Sequence, residues 1–220
     1  MIIFAADNHY NSSPGRCAFE EIKSAYPEMI FREDDWSVFT EFDLASQCQL
    51  LILNMIGSTC GLPLPDEAAC DAVKKYCQTG KNLLLLHGSS AAFWHCEWFR
   101  TNSGLRWVRK GDPDNVEPSH HPIEPYTVEV SKTRHPLCAK LVPMNFGQAD
   151  EIYANLEQTL PLWTLMQTTI STGTFPMLTE SINQWGGKVI NFLPGHKESS
   201  SRHPDYICNL KTLIDYLKNE

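Results

Sequence analysis

The chain has 220 residues, 42% hydrophobic and 20% charged, with a formal net charge of −8. That length supports one sizeable core, while the acidic balance and the lack of a basic stripe disfavour nucleic-acid binding. The longest apolar runs, LLILNMIG and NLLLLHG, fall short of the roughly 18–20 residues that cross a bilayer.

The first segment, MIIFAAD (1–7), is β-branched and apolar, with no basic stretch before it. It reads as a first strand, not a signal peptide, and a cytoplasmic protein is expected. The polar loop NHYNSSPG follows. Residues 16–26 read as a helix, with Phe19, Ile22 and Tyr26 on one face. MIFRE (29–33) is a short strand and EFDLASQ a brief helical turn. LLILNMI (50–56) suits a strand buried on both faces. A helix opens at Pro65 or Asp66, runs through Cys77 and closes at Gly80. NLLLLH (82–87) is the next buried strand, and a helix-like stretch follows it. Strands alternating with helices at this spacing predict a doubly wound, mostly parallel sheet.

After residue 100 the rhythm changes. GDPDNVEPSHHPIEP is a long polar connection of the kind that rims a site. Strands are expected at 126–131, 160–167, 174–180 and 188–195, with WGG (185–187) as the turn between the last two. Residues 204–219 form an amphipathic terminal helix, with Ile207, Leu210, Leu213, Ile214 and Leu217 on one stripe. No repeat or linker is visible, so residues 1–220 read as a single domain. The eight cysteines include no C-x-x-C pair. Most read as small buried hydrophobes in a reducing compartment.

Several residues are placed to carry chemistry. His87 ends an apolar strand and precedes Gly88, which permits a sharp strand-to-helix turn. Such a turn presents a side chain at the carboxyl edge of a parallel sheet. His196 repeats this grammar after KVINFLPG. Asp150 and Glu151 are adjacent carboxylates, and in an extended segment at most one of them enters a site. Histidine titrates near neutrality, so His87 and His196 suit acid–base roles, with Glu151 or Asp150 orienting one of them. Ser89, His120, His121 and Trp94 are candidate substrate-binding residues, and Trp98 and Trp107 could also stack on a sugar ring. Capping for Ser89 and packing for the tryptophans are the plainer readings. His135 reads as a helix-start residue. No H-E-x-x-H spacing, G-x-S-x-G elbow, Walker loop or G-x-G-x-x-G fingerprint occurs. His87, His120 or His121, Glu151 and His196 could meet as metal ligands only through the fold, so a metal-assisted version using the same histidines stays open and no metal or cofactor is assigned.

Four segments in order, YCQTGKNLLLLHGSSAAF, RHPLCAKL, ADEIY and GGKVINFLPGH, together resemble the ThuA-like (trehalose utilisation) family over roughly residues 50–217. The resemblance implies a flavodoxin-like three-layer sandwich similar to class I glutamine amidotransferases. In those enzymes the elbow carries a nucleophilic cysteine. Here the elbow reads LHGSS, with no cysteine until Cys96, so glutaminase activity is not expected. His196 falls near where the amidotransferase histidine would lie. One departure is TGKN, with Gly80 alone, where the family usually has a glycine cluster. The resemblance implies a role in trehalose or keto-sugar utilisation, with a small carbohydrate as ligand. An enzyme and a non-catalytic sugar-binding or assembly protein both remain open, and there is room for a homo-oligomer.

Overall fold

The computed structural model describes residues 1–8 and 10–218. Strand β1 (Ile2–Ala6), helix α1 (Pro14–Ile22), strand β2 (Met29–Glu33), short helices α2 (Val38–Glu41) and α3 (Leu44–Gln47), strand β3 (Leu50–Asn54), helix α4 (Glu67–Gln78) and strand β4 (Asn82–Leu86) follow in order. The second half contains α5 (Glu97–Asn102), β5 (Leu105–Arg106), β6 (Ile123–Val130), β7 (Met144–Glu151), β8 (Glu157–Gln158), β9 (Leu162–Ile170), β10 (Gly173–Ile182), β11 (Lys188–Phe192), α6 (Glu198–Ser201) and α7 (Pro204–Lys218). A nine-stranded sheet has the order β2-β1-β3-β4-β11-β10-β9-β6-β7, and β5 pairs with β8 in a separate two-stranded sheet. Strands β2, β1, β3, β4 and β11 are mutually parallel, and the extension through β10, β9, β6 and β7 is antiparallel.

Alternation along the central strands explains the three layers. Ile2, Phe4, Leu50, Ile52, Leu84 and Leu86 face one core with α1 and α7. Ile3, Leu51, Leu53, Leu83 and Leu85 face the other, with α2, α3 and α4. Both faces are covered, which is why these strands read as unbroken apolar runs. Burying each leucine side chain stabilises the fold by roughly 1.5–3 kcal/mol. Asp66 caps α4 as expected, its side chain accepting the Ala69 N–H at 2.8 Å.

The structure corrects the sequence reading at several points. No α-helix follows His87 directly. Residues His87–Ala91 form one 3₁₀ turn, and α5 begins only at Glu97. Cys96 is therefore the N-cap of α5, not a residue inside a helix. Strand β7 was not foreseen. It is the sheet edge, its exposure is irregular, and MNFGQADE contains no apolar run. Of the cysteines, Cys17, Cys48, Cys70 and Cys77 are buried, Cys96 and Cys138 are half-buried, Cys60 and Cys208 are exposed, and all are free thiols.

The WGG turn lies between β10 and β11 as expected. The Asn183 side chain accepts the N–H groups of Trp185 and Gly187 at 2.9 and 3.1 Å. A Cβ on Gly187 would stand 2.3 Å from the Lys81 carbonyl oxygen. That oxygen is backbone and cannot swing away, so Gly187→Ala should destabilise the protein by about 1–3 kcal/mol. A lowered urea midpoint with an unchanged slope is the expected signature.

Candidate functional site

The site lies at the carboxyl edge of the parallel strands. Leu86 is still extended, whereas His87 turns to φ +37°. His87 itself, not Gly88, is thus the apex of the elbow. A non-glycine residue held there costs on the order of 1–3 kcal/mol, which the surroundings must over-determine. They do so through the imidazole, which is fully buried. His87 Nδ1 lies 2.8 Å from the Leu193 carbonyl oxygen. A carbonyl can only accept, so Nδ1 carries a proton; Nε2 accepts while the ring is neutral and donates to Glu151 when the ring is an imidazolium. The Tyr153 hydroxyl lies 2.9 Å from that Nε2. Burial and nearby carboxylates push the Tyr153 phenol well above its ordinary value, so it stays a proton donor.

Two further groups meet at the same nitrogen. His196 Nδ1 lies 3.2 Å from His87 Nε2, and Glu151 Oε2 lies 3.5 Å from it. Glu151 Oε2 is also 3.6 Å from His196 Nδ1, and its Oε1 is 3.5 Å from His121 Nδ1. Burial alone would raise the Glu151 carboxyl. The hydrogen bond with His87 and the charges of His87, His196 and His121 outweigh it and bring the pKa down to about 2. Glu151 is therefore an anion under all ordinary conditions.

Asp150 points away from this cluster, as the period of a strand requires. It is fully buried, and its carboxylate accepts the Lys197 N–H at 3.3 and 3.4 Å. Its place is behind the site, holding the backbone just after His196. His121 lines the cavity, whereas His120 is engaged through its backbone in a bridge to Ala154. Ser89 is fully buried, with Oγ accepting the Met55 N–H at 2.8 Å, so it ties β3 to the elbow and does not line the cavity. Trp94 is not a lining residue either. It lies under Arg109, whose guanidinium carbon is 4.9 Å from the ring centre. Trp98 packs against Phe93, Phe99 and Trp185. The tryptophan in the cavity wall is Trp107, with its ring 4.7 Å from that of Tyr153.

The cavity measures about 120 Å³ and is lined by Tyr10, Ile56, Trp107, Arg109, His121, Glu151, Tyr153 and His196, with Ala91. Asp7 holds one wall in place by accepting the N–H groups of Ile56 and Gly57 at 2.8 and 2.7 Å. Trp107 is the one expected stacking ring that reaches the wall, whereas Tyr153, Arg109 and Tyr10 were not singled out in the sequence reading. Only the position of Tyr153, two residues after Glu151 on alternating backbone, hinted at a shared side.

Two groups of side chains bring metal-ligating atoms together. Ligands on a tetrahedral zinc-like ion, at about 2.0–2.1 Å from it, stand roughly 3.3–3.4 Å apart. The His87, Glu151 and His196 atoms, at 3.2, 3.5 and 3.6 Å, match that spacing. Thiolates on zinc stand about 3.8 Å apart. Cys70 Sγ lies 2.8 Å from Cys96 Sγ and 3.1 Å from His95 Nε2, too tight for such an ion.

The parallel core, the elbow after β4 and the second histidine after β11 define a class I glutamine amidotransferase-like fold whose apex residue is histidine. Structures agree. A thua-like protein of Parabacteroides merdae superposes with a TM-score of 0.72 at 14% identity, covering 99% of this chain and 88% of its own. One of Bacteroides uniformis gives 0.66 at 14%, with 98% and 91% covered. PurLQS from Thermotoga maritima gives 0.54 at 10%, with 98% and 99% covered. The profile of the ThuA family, described as trehalose utilisation, matches residues 1–214, and the chain belongs to that family. No curated protein matches the sequence.

Proposed function

We propose that this single-domain chain is a carbohydrate-processing enzyme of trehalose or keto-sugar utilisation, with His87, Glu151 and His196 as its catalytic centre. The observation that carries the reading is the meeting of three titratable side chains at one buried nitrogen, beside a cavity. Glu151 and the lone pair of His87 Nε2 both face His196 Nδ1. They favour the tautomer with the proton on Nδ1, which leaves the other His196 nitrogen basic. That nitrogen takes a proton from a sugar hydroxyl, or from the carbon beside a keto group, and Glu151 stabilises the imidazolium that forms. Tyr153 keeps His87 oriented, and Trp107 offers a ring face to the sugar. Asp150 is a positioning residue.

The ligand spacing supports a metal-assisted form of the same site. An ion held by His87, Glu151 and His196 would supply Lewis-acid polarisation of a substrate oxygen. A cytoplasmic location agrees with the eight free thiols. No helix among the described residues is long and apolar enough to cross a membrane.

The test is direct. The purified protein is incubated with trehalose, related disaccharides and their keto derivatives while product and thermal stability are followed, and its metal content is measured. An enzyme gives product with at least one of these sugars, and His196→Ala loses it while still folding. Stabilisation by a sugar without product would make the chain a binding protein. Close to one equivalent of metal, lost in His196→Ala, would establish the metal-assisted form.

A further inference from the structure

Arg109 is a wall residue of the cavity. Its Nε and Nη2 are shut off from water and meet no acceptor among the described residues. Its recorded neighbour is the face of Trp94, which attracts a cation but accepts no conventional hydrogen bond. Burial pushes the guanidinium below its ordinary value, with Tyr10 working weakly against that. Arg109 as a whole is half-buried, and enclosed N–H groups that meet no acceptor are unfavourable.

The anion already present cannot serve. Among the described residues Glu151 is the one carboxylate of the cavity wall. Its Oε2 faces His87 and His196, and its Oε1 faces His121. Asp7 accepts the Ile56 and Gly57 N–H groups through Oδ2, and Asp150 accepts the Lys197 backbone N–H; neither carboxylate lines the cavity. The cavity therefore holds one engaged anion against a permanent cation and imidazoles, inside a chain whose net charge is −8.

We infer that the substrate is a sugar acid, and that Arg109 is the residue that binds its carboxylate. The inference rests on the carbohydrate reading above and narrows it. A carboxylate fits better than a phosphoryl group, since a single guanidinium is present and no glycine-rich turn of backbone N–H groups or helix N-terminus is among the lining residues. At about 120 Å³ the cavity lies below the roughly 300–1,000 Å³ of pockets that enclose a drug-sized ligand. It takes the charged end of a sugar, and the remainder extends past Tyr10, which is 67% exposed.

The experiment is calorimetric titration of the full chain with D-glucuronate, D-glucose, glucose 6-phosphate and succinate. Glucuronate is expected to bind at least about tenfold more tightly than glucose. Arg109→Met should bring the two to equal affinity, and Arg109→Lys should keep part of the preference. Equal binding of glucose and glucuronate by the wild type, which needs no variant to fold, would overturn the inference. So would a glucuronate preference that survives Arg109→Met, a preference for glucose 6-phosphate over glucuronate, or no binding of any probe. If succinate binds through Arg109 as tightly as glucuronate, the sugar assignment falls while the carboxylate role of Arg109 stands.

Discussion

Glu151→Gln should lower turnover by roughly 10²–10⁴-fold while leaving the fold intact. Glutamine keeps the size of the side chain, removes the charge and turns one of the two acceptor oxygens into an N–H donor. His196 then loses the anion that favours its proton on Nδ1 and that stabilises the imidazolium formed during the reaction. The stability consequence follows from the direction of the shift. The Glu151 carboxyl is held at about 2, below its ordinary 4.5. What its ionisation contributes to stability is therefore present above the ordinary value and lost as the pH falls through about 2. Between roughly pH 5 and 9 the wild-type carboxylate does not titrate, so the loss of turnover in Glu151→Gln should be uniform across that range. Circular dichroism, a pH–rate profile and metal content of the two proteins together check the prediction. Turnover within threefold of wild type would remove Glu151 from the chemistry.

How much of this was legible beforehand depends on the range of the interaction. β4 was readable because a strand buried on both faces needs no periodicity, only LLLL bounded by polar residues. That His87 stands at the carboxyl edge followed from its place at the end of that strand; that its ring is fully buried, behind Tyr153, Glu151 and His196 and off the cavity wall, did not. Its φ did not, because a left-handed histidine is a strain that only tertiary contacts (Leu193, Tyr153, His196) can sustain. The meeting of Glu151 with His87 was out of reach for a different reason. It depends on a walk across five strands, from β11 through β10, β9 and β6 to β7, and each register in that walk is a long-range pairing. The choice between Asp150 and Glu151 was half visible: alternation said that one carboxylate enters, and the sheet decides which. Trp94 and Trp107 show the same limit. Both lie near the elbow in sequence, and only the path of the chain through β5 puts Trp107 in the wall and Trp94 beneath Arg109. Arg109 itself carries no spacing signal at all, since one arginine in a loop resembles any solvated charge until its burial is known.

Arg106→Met should be the most damaging single change to stability, by about 3–5 kcal/mol at neutral pH. Arg106 is buried on β5, and its guanidinium bonds Asp112 through Nη1 at 2.7 Å and Nη2 at 3.1 Å, Asp114 at 3.1 Å, and Glu157 through Nε. Asp114 is largely exposed and can turn to water, whereas the Asp112 carboxylate is almost fully enclosed. Methionine would fill much of the volume and leave that carboxylate buried without its partner. Burial alone raises the Asp112 carboxyl; the Arg106 hydrogen bonds, the Asp114 N–H and the charges of Arg106 and Arg100 reverse this and lower it. The stability it contributes in the wild type is thus present above its ordinary value of 3.8 and lost as the pH falls through the folded value. In Arg106→Met the stranded carboxyl moves the other way and protonates more readily. The gap between the two proteins should therefore be widest near pH 7 and narrow as the pH falls to about 4. Urea unfolding at the two pH values measures it, and adding Asp112→Asn to Arg106→Met should restore part of the loss at pH 7. The consequence reaches the site, because the two residues of β5 lead straight into Trp107 and Arg109, and the Trp107 N–H is held by the Ser90 carbonyl at 2.9 Å. Loosening β5 frees the wall that carries both, so sugar binding should weaken in Arg106→Met even below its melting temperature, and the double variant should recover affinity and stability together.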